Sequence, residues 1–99
     1  MIIDYNPSYK IKGNLLLYFY ASWSSKCNMY LEALSKLANE FEDFNVVKIN
    51  TTKYPTLKAN YNIKKIPSYI LIINDNIVGR LDGYVDSYSL HRWVKRYKE

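Results

Sequence analysis

Cys27 is the one thiol in the chain, and it closes the segment Trp23-Ser24-Ser25-Lys26-Cys27. A free thiol can attack a disulfide, ligate a metal or pack as a small hydrophobe. One cysteine cannot form a disulfide within the chain. With a single histidine, His91, it cannot build a Cys/His zinc site either, so no metal is expected. Two further groups carry chemical potential. Lys64 and Lys65 lead into Ile66-Pro67-Ser68; such a pair is usually solvated surface, and were Lys26 beside it the three could make a basic rim favouring acidic partners. The stretch from His91 to Lys98 interleaves cations with aromatics, as nucleic-acid-binding segments do, yet no recognised motif accompanies it. His91 itself reads as a surface residue.

The elements that must position these groups follow from hydrophobic spacing. Leu15 to Tyr20 is a dense apolar and aromatic run after Gly13-Asn14, the pattern of a strand buried on both faces. Cys27, Leu31, Leu34, Ala38 and Phe41 then recur at helical steps and share one face, with Ser24 or Ser25 available as a cap. Asn45 opens a second buried run, Val46 to Ile49. Strand, helix and strand in this order predict a right-handed crossover with a parallel pair. Tyr54-Pro55 starts a short helix through Leu57 and Tyr61, proline being suited to the first turn.

After Pro67, Tyr69 to Ile73 is the strongest strand signal in the chain. Asn74-Asp75-Asn76 is turn chemistry, and Ile77 to Leu81 returns as the partner of a hairpin. The chain closes on a helix whose Leu90, Trp93, Val94 and Tyr97 make an apolar stripe, capped by Asp86 or Ser87. Its cations fall largely on the other face, so packing explains the basic and aromatic mixture and no nucleic-acid partner is expected. These elements predict an α/β mixed sheet with helices on both faces.

Ninety-nine residues with 48% hydrophobic and 23% charged content suit a single domain spanning 1–99. The longest apolar run, Leu15 to Ala21, is far too short for a membrane span, and the N-terminus lacks the pattern of a signal peptide. The expected setting is the reducing cytoplasm, away from membranes. The net charge of +5 favours acidic partners.

Three pieces together resemble the thioredoxin family. Trp23-Ser24-Ser25-Lys26-Cys27 occupies the strand-to-helix turn where that family carries W-C-x-x-C. Ile66-Pro67-Ser68 looks like its cis-proline segment, and Gly83, after the hairpin, matches its late glycine. The resemblance covers roughly residues 15–99, with a shortened N-terminal stretch. It implies a thioredoxin-like fold and a thiol–disulfide oxidoreductase, a protein disulfide reductase or electron carrier without a bound cofactor. The implied partners are disulfide-containing proteins and a thioredoxin-reductase-like electron donor. A monomer is expected, with a Cys27-linked dimer as the variation. Trp23, Ser25, Lys26, Ile66, Pro67 and Gly83 would frame the substrate.

The motif has a physical reason. A helix N-terminus favours a thiolate, which attacks the substrate disulfide, and a second thiol one turn further resolves the mixed disulfide. Here Ser24 holds the attacking position and Cys27 the resolving one. A hydroxyl forms no disulfide, so this chain reads as an inactivating or trapping variant of the two-cysteine enzyme. The alternative is a redox-inactive binding or adaptor module on the same fold. Either an engineered replacement or a natural loss accounts for Ser24. Other departures are Tyr18, where many members carry a buried acid, Glu32 in place of a helix-kinking proline, and Lys26 in place of the motif's proline.

Overall fold

The structure, a computed structural model, describes residues 1–21, 31–41 and 43–98. Among them a five-stranded sheet is ordered β1-β3-β2-β4-β5. The strands are β1 (Ile2–Asp4), β2 (Leu15–Tyr20), β3 (Asn45–Asn50), β4 (Ser68–Ile73) and β5 (Asn76–Asp82). The helices are α1 (Leu31–Glu40), α2 (Pro55–Asn60) and α3 (Ser87–Lys98). β1 and β2 both run parallel to β3, whereas β4 is antiparallel to β2 and to β5. The mixed sheet is therefore the one that the order of apolar runs predicts.

β2 and β4 are central because both of their faces are apolar, and alternate side chains feed two separate cores. On one side Leu16, Tyr18, Val46, Tyr69 and Leu71 pack with Leu34, Leu37 and Ala38 of α1 and Leu90 and Val94 of α3. On the other side Leu15, Leu17, Phe19, Val47, Ile49, Ile70 and Ile72 pack with Ile63, and Leu57 and Tyr61 lean in from the α2 side. Tyr18 and Tyr69 stack at 5.4 Å in the first core, facing each other across the β2–β4 pair.

Four local features depart from or sharpen the sequence reading. Ile2–Asp4, too short to announce itself by periodicity, adds a parallel edge strand by pairing with Val46 to Lys48. Of the residues after it, Tyr5, Tyr9 and Ile11 lie against the second core. Asp86, not Ser87, caps α3, accepting from the Ser89 N–H and the Ser89 hydroxyl at 2.9 Å each. His91 is not surface decoration. It is half-buried, hydrogen-bonded to Glu40 and stacked on Phe41 at 6.5 Å, so it joins α3 to the end of α1.

Tyr97 lies at the edge of the predicted stripe and stays 40% exposed, while Leu90 and Val94 are fully buried. Trp93 and Tyr97 instead cover β5, where Gly79 leaves room for them. A Cβ at Gly79 would stand 3.0 Å from the Trp93 ring and 3.4 Å from the Tyr97 hydroxyl.

Candidate functional site

Sheet register brings three distant pieces of sequence to one end of the sheet. In the β2–β4 pair Phe19 faces Ser68, so the chain leaving β2 through Tyr20 and buried Ala21 passes beside Ile66 and Pro67. In the β4–β5 pair Ser68 faces Asp82, which places Gly83 opposite Pro67. There the Gly83 N–H donates to the Pro67 carbonyl at 2.7 Å. Gly83 has φ of +88°, a conformation open to glycine and strained for other L residues. The Ile66–Pro67 peptide bond is cis, Pro67 is buried, and Ile66 reaches both cores.

The loop between α2 and β4 is tied down along its length. At its start, the Arg80 guanidinium donates to the carbonyls of Tyr61 at 3.0 Å and Asn62 at 3.2 Å. Arg80 also pairs with the Asp82 carboxylate at 3.0 Å. At its end, the Ser68 hydroxyl has one proton and two acceptors in reach, the Lys65 carbonyl and Asp82 Oδ1. Burial first, and the neighbouring Tyr5 second, push the Tyr61 phenol above its ordinary value of 10.0. Two residues of β5 thus hold the loop that presents Lys64, Lys65 and Ile66. Sequence reasoning missed Arg80 and Asp82. The available signal was their spacing, since residues two apart on a strand share a face.

Below the end of β2, Tyr18 is 1% exposed and lies opposite Lys48 of β3. The Lys48 ammonium is 3.8 Å from Asp4 Oδ1 and 5.2 Å from the centre of the Tyr20 ring. A strand position that carries a buried acid in many members of the resembled family therefore holds a buried phenol.

Trp23, Ser24, Ser25, Lys26 and Cys27 lie outside the described residues. Ile66, Pro67 and Gly83 come together, with Gly83 bonded directly to Pro67. Among the described residues no cluster of His, Cys, Asp and Glu could hold a metal ion, and no helix is long and apolar enough to cross a membrane.

A mixed sheet in this strand order, with one helix pair on one face and α2 on the other, defines the thioredoxin-like class of α/β protein. The Thioredoxin family model matches residues 5–96. A thioredoxin of Griffithsia pacifica is 30% identical over 84% of this chain and 77% of its own length. A chloroplastic thioredoxin of Arabidopsis thaliana is 32% identical over 77% of this chain, which spans 46% of that protein. Among solved structures, a mutant thioredoxin of Halobacterium salinarum superposes with a TM-score of 0.80 at 26% identity, over 89% of this chain and 77% of that one. The chain belongs to the thioredoxin family.

Proposed function

We propose that this protein is built for thiol–disulfide exchange with protein substrates and carries serine at the attacking position. The observation that carries the reading is the register Phe19↔Ser68. It runs the chain that enters Trp23-Ser24-Ser25-Lys26-Cys27 past the Ile66–Pro67 loop, with Gly83 bonded to that loop from the far side. In this reading Ile66, Pro67 and Gly83, with Trp23, Ser25 and Lys26, frame the substrate. An extended segment of the partner pairs with the free backbone edge beside Pro67.

With a thiol at position 24 the chemistry would balance as follows. The thiolate at position 24 attacks one sulfur of the substrate disulfide, forming a mixed disulfide and expelling the other sulfur as a thiolate. Cys27, deprotonated, then attacks the sulfur at position 24 and releases the second substrate thiolate. Two electrons pass from the dithiol to the substrate, and a thioredoxin-reductase-like donor restores the dithiol. Ser24 blocks the first step, because its alkoxide is inaccessible near neutral pH and no stable S–O link follows. The Ser24 form therefore docks substrate and does not turn over. Buried Tyr18, a phenol in place of an acid, favours a second reading, a redox-silent binding module using the same groove. The lone cysteine suits a reducing compartment, and the cytoplasm is the proposed location.

The test is Ser24→Cys, assayed for reduction of a protein disulfide with dithiothreitol or a thioredoxin reductase as electron source. Turnover above the parent chain supports the oxidoreductase. A folded variant that reduces nothing above background transfers the site to the binding module.

A further inference from the structure

The carboxylates of this chain are unevenly placed. From Phe44 to Asn74 there is no Asp or Glu, while Lys48, Lys53, Lys58, Lys64 and Lys65 all fall in that stretch. Lys48 is consumed by Asp4. The other four are exposed, and among the described residues none is in an ion pair. They occupy one continuous stretch, 53–65, that forms α2 and its flanking loops and covers the second core.

Two of these cations are held at the candidate site. Lys64 and Lys65 ride on the loop whose carbonyls are bound by Arg80 and Ser68, and the Lys65 stem lies 3.7 Å from where a Cβ on Gly83 would stand. The neighbouring carboxylate, Asp82, is already engaged by Arg80 and Ser68. Its charge is compensated there, and among the described residues Lys58, Lys64 and Lys65 are left without an ion-pair partner.

We infer that the α2 face, from Lys53 to Lys65, is a docking surface for an acidic segment of a protein partner, laid alongside the Pro67–Gly83 edge. Charge complementarity is the argument: an uncompensated positive face attracts acidic segments, raises their encounter rate and rejects basic ones. Tying down the loop before binding removes part of the ordering cost that flexible lysines would otherwise incur. The inference deepens the exchange reading by giving the disulfide-bearing partner an acidic flank. The surface itself is testable without turnover.

The experiment titrates the isotopically labelled chain, Ser24 in place, with a hexaglutamate peptide, a hexaglutamine peptide and a short oligothymidylate of matched charge, following backbone amides. At about 0.01 M ionic strength, where charges reach about 30 Å, hexaglutamate should shift amides within 53–66 and hexaglutamine should not. Combining Lys58→Gln, Lys64→Gln and Lys65→Gln should weaken hexaglutamate about tenfold or more. Raising the salt to about 1 M, where the reach falls to about 3 Å, should do the same without any mutation.

Shifts confined to the α3 cations Arg92, Lys95 and Arg96 would overturn the assignment, as would unchanged affinity in the triple variant or at high salt. Oligothymidylate binding the same amides as tightly as hexaglutamate would transfer the face to nucleic acid and overturn the protein-partner proposal. The titration involves no thiol chemistry, so its failure is separate from a failure of the Ser24→Cys assay.

Discussion

Gly83→Ala tests whether backbone conformation at the end of β5 holds the Pro67 loop, and Gly13→Ala is its matched control. Both glycines have φ of +88°. A Cβ would meet nothing within 4 Å at Gly13 and only the Lys65 Cδ, at 3.7 Å, at Gly83. Space is no obstacle at either site, so the penalty is conformational, about 1–2 kcal/mol for an L residue held in the left-handed region. Each N–H is also bonded, Gly83 to the Pro67 carbonyl and Gly13 to Asp75. Losing that bond as φ relaxes adds about 0.5–1.5 kcal/mol. The alanine stiffens the unfolded chain, which returns about 0.4–1 kcal/mol. The net is a loss of about 0.5–3 kcal/mol at either position.

For a domain of this size that corresponds to a Tm lowered by about 4–8 °C for each kcal/mol. Asparagine tolerates positive φ, so Gly83→Asn should lose less than Gly83→Ala. Urea and thermal unfolding measure the stabilities, and amide exchange locates the effect. Gly83→Ala should lower protection at Ile66 and Ser68, whereas Gly13→Ala should leave them unchanged. The reasoning is refuted if Gly83→Ala is as stable as the parent. It is equally refuted if both glycine variants loosen the Pro67 loop alike.

Leu90, fully buried where α3 meets the first core, should lose about 2–5 kcal/mol on Leu90→Ala, read as a lower urea midpoint with little change in slope. The Asp86 carboxyl is held below its ordinary range first by the Ser89 N–H and then by the Ser89 hydroxyl. A depressed folded value means its stabilisation is complete above the unfolded value, about 4, and is lost as pH falls through the lower folded one. The stability gap between the parent and Asp86→Ala should therefore be constant near neutrality and close below about pH 4, as thermal unfolding across pH will register.

Much of the architecture was legible because burial on both faces leaves a loud pattern. The β2 run reads as a strand from Leu15 to Tyr20, and the structure assigns the same bounds. The apolar run after Pro67, the Asn74-Asp75 turn and the amphipathic α3 were equally plain, since spacing alone carries them. The quiet elements were those stabilised by partners. β1 has three residues and exists through its pairing with β3. His91 looks like a solvent-facing residue until α1 brings Glu40 and Phe41 to it.

The pieces that resemble the family's motifs, at Ser24, Cys27, Ile66, Pro67 and Gly83, are a property of the sequence by itself. On the proposed reading a hydroxyl stands where disulfide exchange would need a thiol, and no fold alters what that atom can do. Proximity was the work of tertiary structure. Register across β2, β4 and β5 carries Ala21, Pro67 and Gly83 to one end of the sheet, though they are far apart along the chain. The same register lets Arg80 and Asp82 grip the loop that carries Lys64 and Lys65. Side-chain chemistry is local and can be read residue by residue. Hydrogen bonds between strands are not, because they depend on which residues the folded sheet sets opposite one another.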